Sequence, residues 1–354
     1  MISALEIRLS RVERSRLDPA GLNDLPFGKY FTDHMLEVDY SGGQWGPVEI
    51  KPFQPLLIEP SNAGIHYGQS IFEGIKAYRD RSGNAFIFRP HDNFIRFNRS
   101  AERMQMPAVP EEIFMEGMRR LVDVDRDWIP PAEHNSLYIR PFMFATDSLL
   151  RVHASDNYKF MIILSPCGPY YPAPMRIWVE ETYVRAVRGG IGQAKAAGNY
   201  AASLMAATLA KEKGYDQVLW TDATEHRYVQ EIGTMNVIFI IGNRAITPDL
   251  ESGTILAGVT RDTAITLLRE QGLDVEERPL SIDEVIAAHH AGTLREVFGT
   301  GTAATVSYIK ELRYRDFSIQ MDPSGFTVAS GLKNKLTAIR EGREADVHGW
   351  LYRV

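Results

Sequence analysis

One cysteine, Cys167, stands alone in 354 residues, so no internal disulfide forms and cysteine-based zinc and iron–sulfur centres are excluded. The nine histidines show no metal-ligand spacing. His289 and His290 are adjacent and point to different sides of a helix, unlike two ligands four residues apart, and no metal is expected. Positive charge is in the minority: 39 Lys and Arg against 45 Asp and Glu leave a net charge of -6, with the cations scattered. Nucleic acid is therefore not an expected partner. No run approaches the roughly 20 apolar residues of a membrane helix, and the amino-terminal MISALEIRLSRVERSRLD lacks the apolar core of a secretory signal. A cytoplasmic protein without a membrane partner is the expectation, and the glycosylation sequon Asn98-Arg99-Ser100 is then a chance match. Repeats and low-complexity tracts are absent as well.

What is present is ordinary globular composition, 44% hydrophobic and 24% charged, in a chain longer than one core usually supports. Two domains are expected, 1–168 and 179–354, joined by a connector at 169–178 within the turn-rich CGPYYPAPM. Residues 1 to about 25 read as a packing arm. In the first half, strands are expected at Met35–Tyr40, Pro55–Glu59, Ala85–Phe88 after the Gly83-Asn84 turn, Leu137–Ala145 and Lys159–Ser165. Helices are expected from Asp92 to near Met104 and after Pro110, where Ile113, Phe114, Met118 and Leu121 form one stripe. The second half alternates helices with strands at Met175–Val184, Gln217–Thr221, Met235–Ile241, Val275–Leu280 and Leu294–Phe298. Ser281 with Glu284 is a capping box, and Gly214, Gly272 and Gly292 sit where helices end. Gly242-Asn243 suggests a hairpin, hence a mixed or antiparallel sheet.

Lys195, in GGIGQAKAAGNY, is the candidate chemical centre of the sequence, with a surface lysine in a glycine loop as the alternative reading of this window. From Thr182 through Lys211 there is no Asp or Glu, so no local carboxylate holds this lysine as an ammonium. A lysine desolvated among small residues is a nucleophile toward carbonyls, and small neighbours leave room for a flat cofactor. Gly299-Thr300-Gly301-Thr302-Ala303-Ala304 fits a dinucleotide-binding pattern, but TVSYIKELRYRD follows where a helix is required. It remains a good anion loop, because closely spaced glycines let backbone N–H groups converge on oxygens.

Seven segments form one set: HYGQSIFEGIKAY, FRPHDNFIRFNRSAERM, LYIRP, GQAKAAGNY, QEIGTMNVIF, AGVTRD and FGTGTAAT. In order and spacing, over nearly the whole chain, this set strongly resembles the branched-chain amino acid aminotransferases. The resemblance implies an α/β (α+β) fold, the two-domain pyridoxal phosphate (PLP) fold type IV, with a smaller α/β domain, a larger pseudo-barrel domain and pyridoxal 5'-phosphate between them. It implies a homodimer whose site is completed by the second subunit.

The resemblance also assigns roles. Lys195 would hold the cofactor as a Schiff base and carry the substrate proton. Glu231 would place a carboxylate on the pyridine nitrogen, keeping the ring an effective electron sink. Tyr200 would bond the ring hydroxyl, and Thr234 belongs to the same cofactor set. Arg96 takes the phosphate-binding position, with Arg99 one helical turn away as its rival. Val259 and Thr260 would offer amides to the phosphate at a helix start. Thr302 and Ala303 would bind the substrate α-carboxylate, with the Thr302 hydroxyl near the phosphate. Phe27, Tyr67, Phe72, Tyr138 and Tyr170 would line the substrate pocket, Val152 would reach in from a second subunit, and Arg140 would take the distal carboxylate of glutamate. Some animal members carry two cysteines after the glycine loop; Ala304 and Ser307 stand there, so thiol regulation is not expected.

The implied reaction moves the amino group of leucine, isoleucine or valine to 2-oxoglutarate. D-amino-acid aminotransferases and aminodeoxychorismate lyases share the lysine and glutamate and are the nearest alternatives, although HYGQSIFEG with LYIRP is not their expected pocket signature. A PLP-binding protein without catalysis is the alternative of a different class.

Overall fold

The computed structural model describes residues 5–18, 25–130, 135–171 and 173–354. The chain divides into two compact units. The first comprises Met1–Tyr170 with Ala194–Ala197 and Thr337–Val354, and the second Tyr171–Gln193 with Gly198–Leu336. The Lys195 segment and the carboxy terminus thus return to the unit that a linear division closes at 168.

The first unit is a 10-stranded sheet carrying helices. Its strands are β1 (Ile7–Leu9), β2 (His34–Ser41), β3 (Gln44–Trp45), β4 (Val48–Pro52), β5 (Ser70–Phe72), β6 (Ile75–Arg79), β7 (Ala85–Phe88), β8 (Ser136–Ala145), β9 (Tyr158–Cys167) and the terminal strand Leu351–Arg353. The long antiparallel pair runs from Ser136↔Cys167 to Ala145↔Tyr158. Helices α1 (Ala63–Tyr67), α2 (Pro90–Arg103) and α3 (Glu111–Val124) accompany it. The α3 stripe buries Ile113, Phe114, Met118 and Leu121. Phe114 meets Phe97 of α2 at 5.4 Å and Phe160 of β9 at 5.9 Å. Three fully buried aromatic rings contribute on the order of 1.5–3 kcal/mol each and fix α2 against the sheet.

The amino-terminal arm packs as expected where it is described; residues 1–4 and 19–24 lie outside the described residues. Strand β1 runs parallel to β4, and the Val12 N–H donates to His34 Nε2, whose Nδ1 lies 2.6 Å from Asp125.

The second unit is a 9-stranded mixed sheet with β10 (Met175–Val179), β11 (Gln217–Thr221), β12 (Val229–Ile232), β13 (Met235–Ile241), β14 (Arg244–Thr247), β15 (Asp274–Glu277), β16 (Leu294–Gly301), β17 (Thr305–Tyr314) and β18 (Phe317–Gln320). Because β12 pairs with both β11 and β13, strands β10, β11, β12, β13, β16 and β17 close into a ring, the pseudo-barrel. Val237, Phe239, Val297 and Ile309 belong to its core. The helices are α4 (Ala197–Ala202), α5 (Leu204–Glu212), α6 (Val259–Glu270), α7 (Ile282–His290) and α8 (Val328–Arg340). Ser281 Oγ accepts the Glu284 N–H at 3.1 Å, as the capping box requires. Gly214, Gly272 and Gly292 have φ of 85°, 81° and 68° after their helices, the left-handed region where a Cβ is penalised.

Several expectations are corrected. Pro55–Glu59 is no strand; the pairing segment is Val48–Pro52, because Pro55 and Pro60 flank residues that reach no partner strand and Leu57 is fully exposed. The strand expected at Met175–Val184 ends at Val179, and Glu180 turns the chain by accepting the N–H groups of Thr182 and Tyr183. Val275–Leu280 is shortened to Asp274–Glu277, ahead of Pro279. The connector spans the gap from Cys167 to Met175, and its Pro172 lies outside the described residues.

Candidate active site

Lys195 is half-buried rather than buried, since the small residues around it leave its side chain partly open. Its main chain is held at both ends within the first unit. The Lys195 N–H donates to Ser100 Oγ at 3.0 Å, and its carbonyl accepts the Phe72 N–H at 3.1 Å. Ala196 bridges to Ile71. The Lys195 Nζ lies 5.0 Å from the centre of the Phe72 ring.

Helix α2 carries Arg96 inward and Arg99 outward. Arg96 is 8% exposed and grips Glu73, itself wholly buried, through Nε at 2.7 Å and Nη2 at 2.8 Å. A bidentate pair of this kind is rigid as well as strong, and the left-handed Gly68 that ends α1 leads into the strand delivering Glu73.

The aromatic residues converge in the same unit. Phe27 meets Tyr138 edge-on at 4.8 Å and Tyr170 at 4.9 Å. Tyr138 and Arg140 share a face of β8, as alternation dictates, and Arg140 Nη2 donates to the Tyr138 hydroxyl at 2.9 Å. The Arg140 guanidinium lies over Phe72 at 4.5 Å and Tyr138 at 5.2 Å. Among the described residues no carboxylate pairs with it, and its Nε is buried without a partner. Gly74 makes this possible, because a Cβ there would fall 2.2 Å from the Tyr138 hydroxyl. Tyr67 and Val152 are more open, 42% and 81% exposed.

The second unit gathers a different set at one end of its barrel. Glu231, on β12, is 3% exposed and sits beside Asn236 in the β12–β13 register. Its Oε1 accepts the Leu256 N–H at 2.8 Å and Asn236 Nδ2 at 3.4 Å. Its Oε2 lies 2.7 Å from Arg185 Nε. Asn236 pairs with Thr300, so the β16–β17 turn holding Thr302 and Ala303 lies at the end of the sheet where the Gly233-Thr234 turn also sits. Thr234 is exposed there, and Thr302 and Ala303 are half-buried. The strand β17 after this turn removes the dinucleotide-binding reading. Val259 and Thr260 are buried in the first turn of α6, whose cap, Gly258, makes no side-chain capping bond. A Cβ on Gly258 would fall 2.0 Å from Asn236 Oδ1, so the helix start and the Glu231 cluster require glycine between them. Tyr200 is half-buried on the short α4.

Sequence reasoning missed Ser100, Arg185 and Asn236, and gave Glu73 a motif but no role. None carries a pattern of its own; a buried acid needs a partner, but which arginine answers it is a matter of folding.

The profile of the family described as amino-transferase class IV matches residues 70–312, and the chain belongs to that family. It is 48% identical over 350 residues, 97% of each chain, to the probable branched-chain-amino-acid aminotransferase of Staphylococcus aureus. The branched-chain aminotransferase of the archaeon Thermoproteus uzoniensis, solved with norvaline, superposes with a TM-score of 0.75 at 25% identity over 90% of this chain and 99% of that one. The PLP form of the Thermobaculum terrenum enzyme shares the fold, with a TM-score of 0.71 at 23% identity over 94% and 99%.

Proposed function

We propose that this protein transfers the amino group of leucine, isoleucine or valine to 2-oxoglutarate, with pyridoxal phosphate as its cofactor. The observation that carries the reading is Arg140: a cation without an acid among the described residues, set on the rings of Phe72 and Tyr138 in an otherwise apolar cluster. Such a pocket suits both an isobutyl group and a second carboxylate.

The donor set fits the cofactor. The amino-terminal end of α6, at the positive end of its helix dipole, suits an anion, buried Arg96 suits a phosphate, and buried Glu231 suits a protonated ring nitrogen. When bound, pyridoxal phosphate supplies the electron sink for the electrons left on the substrate α-carbon. Lys195 takes the proton from that carbon and returns it, one amine serving as base and acid. Glu231 would hold the proton at the ring nitrogen, and Tyr200 from the short α4 and Thr234 from its turn would orient the ring. Val259, Thr260 and Arg96 bind the phosphate, with the Thr302 hydroxyl. Thr302 and Ala303 amides bind the α-carboxylate, while Phe27, Tyr67, Phe72, Tyr138 and Tyr170 surround the side chain and exclude water.

The reading includes a cytoplasmic homodimer. No helix of the described residues is long and apolar enough to cross a membrane. Leu57, Ile65, Leu149, Leu150 and Val152 are exposed on two segments tied together by the Asn62↔Ser148 bridge and the bond from Ser148 Oγ to Glu59 at 3.0 Å. An apolar patch of this kind marks an interface, and a second copy is the occupant that places Val152 at a partner's pocket. Sedimentation of the loaded protein is expected to give a dimer.

The test of the activity is a substrate panel. Cofactor-loaded protein is expected to form glutamate from 2-oxoglutarate with each branched L-amino acid and to ignore D-alanine; turnover of D-alanine alone, or of nothing, overturns the reading.

A further inference from the structure

We infer that Arg185 is a positioning residue for the reaction, holding the Glu231 carboxylate at the place and angle its role at the ring nitrogen demands. The inference rests on that reading of Glu231. Both side chains are buried, 8% and 3% exposed, and Arg185 Nε meets Glu231 Oε2 at 2.7 Å. A carboxylate at that depth is tolerable only with a partner and with its remaining lone pairs bonded. Here Oε1 is bonded as well, to the Leu256 N–H and to Asn236.

Arg185 is itself immobilised. Its Nη1 donates to the Thr254 carbonyl at 2.9 Å and the Gly192 carbonyl at 3.3 Å, and its Nη2 donates to Gly192 at 3.1 Å. Gly192 permits that approach, since a Cβ there would lie 2.4 Å from the Ala186 Cβ and 2.7 Å from the Thr254 carbonyl. One planar guanidinium therefore joins three pieces of the second unit: the 185–192 segment leading toward Lys195 in sequence, the 254–256 loop leading into α6, and β12 with Glu231. A lysine has the charge but a single ammonium, which does not span all three at once. The geometry explains why an arginine stands there, where a salt bridge alone is satisfied by either residue.

The test uses Arg185→Met, Arg185→Lys and Glu231→Gln, alone and combined, in purified cofactor-loaded protein. Its readouts are bound pyridoxal phosphate, the pH titration of the cofactor's visible absorption, and kcat and KM for leucine. Arg185→Met is expected to keep its cofactor, shift the titration, lower kcat by about tenfold or more and leave KM within about twofold; in the Glu231→Gln background it is expected to cost less than about threefold further. Arg185→Lys is expected to recover part of kcat, and it carries the titration readout alone should the methionine variant not fold. An unchanged titration and kcat in Arg185→Met or, without it, in Arg185→Lys, or losses that multiply fully with Glu231→Gln, overturn the inference. If Glu231→Gln alone turns over at the wild-type rate, the role of Glu231 fails first and takes Arg185 with it; if only the arginine variants are normal, the role of Glu231 stands.

Discussion

The hydroxyl of Ser100 accepts the main-chain N–H of Lys195 at 3.0 Å and donates to the carbonyl of Arg96, also at 3.0 Å. One helix, α2, thereby sets the position of both the Lys195 main chain and the buried arginine. Ser100 is 1% exposed, so water does not replace its bond to Lys195.

Ser100→Ala leaves the Lys195 N–H without its acceptor, which costs on the order of 1–3 kcal/mol. The expected result is a lowered Tm together with a lowered kcat, the cofactor still bound through Lys195. A variant with wild-type kcat shows that the strand contacts of Phe72 and Ile71 suffice to hold the lysine.

Lys195→Ala is expected to abolish turnover and the visible absorption of the lysine-bound cofactor together, because one amine serves both as attachment point and as proton carrier. The wild-type protein is expected to be yellow. Retention of colour and activity in the variant identifies another lysine as the reactive one.

Gly74→Ala tests the packing of the pocket wall. The added Cβ meets the Tyr138 hydroxyl at 2.2 Å, and Tyr138 has Phe27 and Arg140 against it. Overpacking of this kind costs about 1–3 kcal/mol, and the displaced tyrosine takes Arg140 with it. KM is expected to rise for leucine and glutamate alike, with a lower midpoint in urea. Unchanged KM values for both show that Tyr138 yields without disturbing the pocket.

Much of this was legible in sequence because local rules govern it. The β11 and β13 strands lie at the expected residues, and the capping box and glycine caps need only a few neighbours. Phe72 on β5 and Tyr138 with Arg140 on β8 came from motifs on one strand pair, where alternation decides the facing side. What escaped depended on long-range pairing. Nothing near Lys195 in sequence tells that Ala196 bridges to Ile71, and Pro55–Glu59 has the apolar alternation of a strand without a strand to pair with. Arg185 and Glu231 meet only because β12 folds back beside the segment after β10.

Lys76, on β6, is 6% exposed, and burial pushes its pKa down from 10.5 to about 8, with the nearby Arg340 cation adding to the effect and Cys167 opposing it. A folded-state value below the unfolded one means the unfolded chain binds more protons between about pH 8 and 10.5, so this group's contribution to stability rises with pH across that window and is least below it. The gap corresponds to about 3 kcal/mol. Lys76→Met is therefore expected to be more stable than wild type at pH 7, with the difference shrinking toward pH 10. Denaturant midpoints at the two pH values measure it, and a constant difference refutes the assignment.

The remaining question is how one pocket takes both leucine and glutamate. An apolar lining suits the isobutyl group and leaves a γ-carboxylate uncompensated, at prohibitive cost. Arg140 is the residue proposed to answer this without harming the apolar substrate, because its charge is already accommodated by the Phe72 and Tyr138 faces and by the Tyr138 hydroxyl. On this proposal the guanidinium stays on those rings when an apolar side chain is in the pocket, and glutamate would offer its buried Nε an acceptor that the described protein groups do not provide. Arg140→Met preserves bulk and removes the charge. It is expected to weaken the half-reaction with glutamate or 2-oxoglutarate by about 2–5 kcal/mol, the scale of a broken buried charge pair, while the leucine half-reaction changes little. Single-turnover rates for each amino acid separate the two, and equal losses would mean that Arg140 serves the pocket's structure rather than the recognition of the acid.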